Sequence, residues 1–62
     1  MIIEGYRGVV NFGEVAKIIS KHKNRSVSQA GKVCDEIKSG SPVKLEDDFV
    51  LREDLEDLNI II

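Results

Sequence analysis

Hydrophobic residues at helical spacing predict a first helix that begins after Asn11. The Asn11 side chain can accept hydrogen bonds from the free amides of the first turn, and Glu14 can reach back to this cap. The polar run 20–25 predicts that the helix ends in a turn. The apolar stripe of this helix consists of Phe12, Val15, Ala16, Ile18 and Ile19.

A second helix is predicted to begin after Ser26, because Ser26 and Gln29 have the spacing of a capping box. Gly31 interrupts this helix at a cost of about 1 kcal/mol relative to alanine. A close approach of the first helix at Gly31 would compensate for that cost. The Ser39-Gly40 pair predicts the end of the helix. Its apolar stripe consists of Val27, Ala30, Val33, Cys34 and Ile37.

Beyond residue 42 the hydrophobic pattern changes toward a period of two, which predicts a β-hairpin. Val43 and Leu45 face one way, residues 46–48 form the turn, and residues 49–51 return. A short acidic helix over about 52–58 follows. It carries three leucines on one side, namely Leu51, Leu55 and Leu58.

Both ends of the sequence are apolar. Residues 1–10 indicate a short extended start, in which the segment Gly5-Tyr6-Arg7-Gly8 favours a turn or loop. An exposed apolar tail promotes aggregation, so we expect residues 60–62 to pack against the start or against a second copy. The second case would be a homodimer through Ile2, Ile3, Ile60, Ile61 and Ile62.

Composition limits the 62 residues to a single small domain, 1–62. The single cysteine excludes an internal disulfide and a multi-thiolate metal site, so we expect a reducing, cytoplasmic location and no metal or cofactor. No stretch approaches the roughly 18–20 apolar residues that span a bilayer. The start also lacks the basic flank of a signal peptide, so no membrane association is expected.

Charge divides the chain into two unlike parts. Residues 1–34 carry six Lys or Arg and two Glu, which gives a net charge of +4. Residues 35–62 carry three Lys or Arg and nine Asp or Glu, which gives a net charge of −6. No acidic residue lies between Val15 and Cys34. The overall charge of −2 therefore conceals a local basic patch on an otherwise acidic chain.

The order helix, turn, helix, glycine, hairpin, short helix resembles a winged helix-turn-helix. It is most similar to the small excisionase-type and MerR-like DNA-binding domains. Three short motifs carry the resemblance, which spans about 11–58. It implies an α+β fold with two short helices, a β-hairpin wing and a short C-terminal helix. The motifs are Glu14-Val15-Ala16, Ser39-Gly40 and Arg52-Glu53-Asp54-Leu55.

The resemblance implies that the start of the second helix enters the DNA major groove. Gln can pair with adenine, and Arg or Lys with guanine. Lysines in the turn, together with His22, would contact phosphates, which supply affinity without sequence information. The DNA-binding residues implied in this way are Lys21, Lys23, Arg25, Ser26, Ser28, Gln29 and Lys32.

These features predict a small, non-enzymatic DNA-binding protein of excisionase or transcription-regulator type. Such proteins serve DNA recombination or transcription regulation in phages and mobile elements. The acidic segment Glu46-Asp47-Asp48 departs from the family, whose wing tip is basic because it follows the phosphate backbone. The alternative is an acidic protein-binding module, a phage- or plasmid-type inhibitor or an antitoxin-like dimer, which would bind a basic host protein.

The cysteine, histidine and phenylalanine side chains have ordinary structural interpretations. Cys34 lies on the apolar stripe, so we expect it in the core. His22 has no ligand partners at metal spacing, so we expect it in the turn. Phe12 and Phe49 are expected in the core, which leaves Tyr6 to stack on a base or in an interface.

Overall fold

The computed structural model describes the backbone of residues 1–62 and every side chain except that of Lys23. Three helices and two small antiparallel sheets confirm the α+β class. Strand β1 pairs with β3, with Ile2 opposite Lys44, and β2 pairs with β4, with Tyr6 opposite Ile60. The elements are β1 (Ile2–Ile3), β2 (Gly5–Tyr6), α1 (Phe12–Lys23), α2 (Val27–Lys38), β3 (Val43–Lys44), α3 (Phe49–Asp57) and β4 (Ile60–Ile61).

Helix α1 begins where the sequence predicts it. The Asn11 side-chain oxygen accepts a hydrogen bond from the Glu14 backbone N–H at 3.2 Å, which satisfies one free amide of the first turn. The Glu14 carboxylate, expected to reach back to the cap, instead lies 3.7 Å from Lys17 Nζ. The helix ends within the predicted polar run, and Asn24 then adopts a left-handed conformation with φ 53°.

Helix α2 has the predicted capping box. The Ser26 hydroxyl oxygen accepts the Gln29 backbone N–H at 3.1 Å, and Gln29 Oε1 accepts the Ser26 backbone N–H at 3.2 Å. Val27, placed on the apolar stripe by the sequence, is 76% exposed because it lies at the edge of that stripe, where α1 does not cover it. The other four stripe residues are buried, as predicted, namely Ala30, Val33, Cys34 and Ile37.

The close approach of α1 expected at Gly31 is wrong. A Cβ added at Gly31 meets no described heavy atom within 4 Å. We therefore expect Gly31→Ala to raise the free energy of unfolding by about 0.5–1 kcal/mol, because alanine has the higher helix propensity. Urea unfolding measures this change. In the control, Gly40→Ala, a side chain is forced to φ +84°, so that variant is expected to lose stability. A loss at Gly31 as well would contradict the open space described there.

The β-hairpin predicted over residues 43–51 is also wrong. Strand Val43–Lys44 pairs with Ile2–Ile3 from the other end of the chain, and residues 49–51 form the first turn of α3. Asp48, expected in the hairpin turn, is the N-cap of α3, where its carboxylate accepts the Leu51 N–H at 3.1 Å. A short apolar run fits a strand or a helix equally well from the sequence. The predicted wing is thus replaced by the β1–β3 pair and by α3.

The apolar tail packs against the start of its own chain, which was one of the two arrangements predicted from the sequence. The Glu4 N–H donates to the Ile61 carbonyl at 2.8 Å, in line with the β2–β4 pair. Ile3 and Ile60 are 0% and 3% exposed. They therefore cannot contribute to the homodimer interface expected of the five isoleucines, because the core already covers them. Ile2 is exposed, and Ile61 and Ile62 are half-buried.

One apolar core joins the three helices and both sheets. Cys34 lies in it, as predicted, and its Sγ donates a weak hydrogen bond to the Phe12 carbonyl at 3.6 Å. Burial raises the pKa of the Cys34 thiol, so the reactive thiolate form is disfavoured. Phe49, also expected in the core, is 74% exposed, which is a correction. The largest completely buried side chains are Ile3, Val15, Ile19, Ile37, Leu51 and Leu55.

Candidate nucleic-acid interface

Helices α1 and α2 pack against each other and are joined by the three-residue turn Asn24-Arg25-Ser26. Ser20 holds this turn in place. Its hydroxyl donates to the Arg25 carbonyl at 2.6 Å, and its own carbonyl accepts the backbone N–H groups of Asn24 and Arg25. Short turns of this kind join the helices both of αα-hairpins and of helix-turn-helix motifs. We refer to α1, the turn and α2 together as the helix-turn-helix unit, a name that describes only the order of these elements. Sequence reasoning overlooked Ser20, since a lone serine in a polar run carries no distinctive signal.

The outer face of α2 exposes Ser28 and Lys32, as predicted. These residues are one helical turn apart, so they lie on the same side of α2. Gln29 is exposed too, but its Oε1 is occupied by the capping box. The cap fixes the orientation of the Gln29 amide, so a bidentate pair with adenine could use only its amide nitrogen and the second lone pair of Oε1 in that orientation. The Ser26 hydroxyl oxygen likewise takes part in the cap, because it accepts the Gln29 N–H.

Exposed lysines border the turn on the α1 side. Lys21, expected in the turn, is instead exposed in the last turn of α1, and Arg25 is half-buried in the turn. The side chain of Lys23 lies outside the described part of the structure. Lys17 is exposed one turn before Lys21 and was not among the residues predicted. Its spacing of four from Lys21, within the acid-free stretch, was the signal that could have identified it.

An apolar groove runs between α1 and the first residue of α2. It has a volume of about 460 Å³, and we call it the basic groove because two lysines border it. Exposed Val27 forms its α2 side. The groove therefore brings the lysines of α1 and the start of α2 onto one surface. Its lining residues are Gly13, Ala16, Lys17, Ser20, Lys21 and Val27.

Two side chains with predicted roles at this interface are held elsewhere. His22, expected in the turn or at phosphates, lies in the last turn of α1, where its Nε2 is 3.0 Å from Asp54 Oδ2 of α3. Tyr6 packs edge-on against Phe12, with ring centroids 5.3 Å apart, although its side chain is still 39% exposed. The His22 ring is therefore engaged with α3 instead of being placed for phosphates, and one side of the Tyr6 ring is engaged with Phe12 instead of being free to stack on a base.

Acidic residues limit how much of α2 could approach DNA. Asp35 and Glu36 are exposed in the second half of the helix, so only its first two turns present an acid-free face. The acidic segment 46–48 is not a wing tip. Asp47 pairs with the N-terminal ammonium group of Met1, and Asp48 caps α3. These carboxylates take part in contacts of the fold itself.

Within the described residues, no group of three His, Cys, Asp or Glu side chains could hold a metal ion. No described helix has the length and apolar character needed to cross a membrane. Comparison of the chain with protein-family models, with curated proteins and with solved structures finds no match. A functional proposal must therefore be based on the geometry of the helix-turn-helix unit.

Proposed function

We propose that this protein binds duplex DNA through the exposed side of its helix-turn-helix unit, with the start of α2 in the major groove. The observation that carries the proposal is that Lys21 and Lys32 are exposed and Arg25 is half-buried on the two helices and the short turn between them, in a stretch of sequence with no acidic residue between Val15 and Cys34. Phosphate contacts from such cations supply most of the affinity of DNA-binding proteins. The positive end of the α2 dipole lies at the same place and adds to the attraction.

The exposed side chains in the first two turns of α2 are suited to base edges. Lys32 can donate to guanine O6 and N7, and the Val27 methyl groups can contact the methyl group of thymine. Ser28 lies between them on the first turn and can donate or accept. Because Asp35 and Glu36 would be repelled by phosphates, contacts with bases are confined to the first two turns of α2.

The resemblance of the sequence to excisionase-type and MerR-like domains supports a regulatory role. We infer an excisionase-like or transcription-regulating protein of a phage or mobile element, without enzymatic activity and acting in the cytoplasm. With α3 in place of a wing, phosphate contacts come from the helix-turn-helix unit alone. We therefore expect modest affinity with strong dependence on salt.

The test is a fluorescence-anisotropy titration of a labelled random-sequence duplex over a series of salt concentrations. The logarithm of the binding constant should fall linearly with the logarithm of salt concentration, with a slope of about −0.9 for each phosphate contact. Three or four contacts would give a slope of about −3. A flat signal at the lowest salt concentration would overturn the proposal.

A second candidate function uses the acidic part of the chain. Phe49 and Val50 are 74% and 53% exposed on α3, next to acidic Glu53, as expected for a surface that binds a basic host protein. The two candidates are distinguished by the same titration together with a pull-down from host lysate. This candidate requires no DNA binding at low salt and a stable complex that Glu53→Lys disrupts.

A further inference from the structure

The basic groove is apolar along its floor and carries positive charge at its border. Gly13, Ala16 and Val27 contribute apolar surface, while Lys17 and Lys21 are exposed beside them. Val27 alone is 76% exposed. The groove therefore suits an occupant that combines apolar side chains with negative charge.

The opposite combination lies at the start of α3. Phe49 and Val50 are largely exposed there, and Glu53, one turn after Phe49, is exposed as well. We call these three residues the acidic knob. They belong to the half of the chain with a net charge of −6, whereas the groove belongs to the half with +4. Locally, one groove lysine, Lys17, lies 3.7 Å from Glu14, and exposed Arg52 precedes Glu53 at the knob. The knob and the groove are thus complementary in polarity and, more weakly, in charge.

The knob and the groove cannot meet within one molecule. An α-helix turns by about 100° per residue, so Gly13 and Ser20 lie on the side of α1 opposite His22. His22 is the α1 residue that bonds to Asp54 of α3. Because α3 packs against that other side of α1, a contact between the knob and the groove requires two copies of the chain.

We infer that the acidic knob of one copy docks in the basic groove of the next. Phe49 and Val50 would cover the apolar floor, and Glu53 would lie near Lys17 and Lys21. Such a contact joins unlike surfaces, so two copies that dock reciprocally form a closed dimer, and copies that dock in one direction extend head to tail. Since charge contributes to this small contact, salt should weaken it.

The test is sedimentation velocity of the whole protein over a concentration series at low and at high salt. At low salt the average mass should rise with concentration above that of the monomer, to that of a dimer for reciprocal docking or beyond it for head-to-tail docking, and at high salt it should return toward that of the monomer. A wild-type protein that stays monomeric at every concentration in low salt would overturn the inference.

Two complementary variants make the test specific. Phe49→Ser damages only the knob, and Val27→Glu damages only the groove. Both change exposed residues, so circular dichroism should show intact folds. Each variant alone is expected to be monomeric. The Phe49→Ser variant has an intact groove but no intact knob, and the Val27→Glu variant has an intact knob but no intact groove. Their mixture should form a one-to-one pair and grow no further.

The outcomes of the mixing experiment separate the alternatives. If either variant alone assembles as well as the wild type, another surface is responsible and the inference fails. If the mixture stays monomeric, the knob does not recognise the groove and the inference also fails. None of these measurements contains DNA, so they are independent of the proposed function.

Discussion

Leu51→Ala is expected to lower the free energy of unfolding by about 2–5 kcal/mol, whereas Phe49→Ala, two residues earlier, should change it by less than about 0.5 kcal/mol. Leu51 is 0% exposed and Phe49 is 74% exposed. Only the first truncation leaves a cavity in the core. A domain of this size rarely has more than about 3–5 kcal/mol of stability, so Leu51→Ala should populate the unfolded state markedly.

Urea unfolding followed by circular dichroism, at dilute protein concentration, measures both changes. Leu51→Val serves as a milder variant if Leu51→Ala is unfolded without urea. The comparison also tests the local structure, because a period-two strand would place Phe49 and Leu51 on the same face. Equal losses at the two positions would support a hairpin and contradict helix α3.

Lys21→Ala and Lys32→Ala are each expected to weaken DNA binding and to make the salt slope shallower by about 0.9 per lost phosphate contact. If Lys32 contacts a base edge instead, its removal should cost about 1–3 kcal/mol on a preferred sequence and relax the preference at one position. The double variant should then bind more than about tenfold more weakly at low salt.

Lys44→Ala is the matched control, because it removes the same charge from an exposed lysine in β3. It should leave the salt slope unchanged. If all three single variants shift the titration equally, binding follows net charge alone. That result would remove the helix-turn-helix unit from the proposed interface while leaving DNA binding itself intact.

The two long helices could be predicted because their signals are local. Asn11 and Ser26 lie within three residues of the amides that they cap, and the apolar stripes repeat within each helix. The end of α2 at Ser39-Gly40 is equally local, since Gly40 supplies the positive φ. Exposure of Ser28 and Lys32 followed directly from the position of the stripe.

The C-terminal third of the fold could not be predicted in the same way. The run 49–51 is compatible with either a strand or a helix, and the choice depends on the burial of Leu51 and Leu55 against α1 and the rest of the core. Likewise, Val43–Lys44 pairs with Ile2–Ile3, about forty residues away along the chain. No pattern within a short window specifies such a partner.

The candidate interface shows the same division. The acid-free stretch 16–33 and the helix-turn-helix spacing are properties of the sequence, and they alone indicated where a basic surface would lie. Tertiary packing then decided which side chains are available there. It bonded His22 to Asp54 and left Val27 and Lys17 exposed at one groove, whereas the capping box that holds Gln29 is a local contact already predicted by the sequence. Helix formation depends on neighbours a few residues apart, whereas exposure and pairing depend on segments that meet only when the whole chain folds.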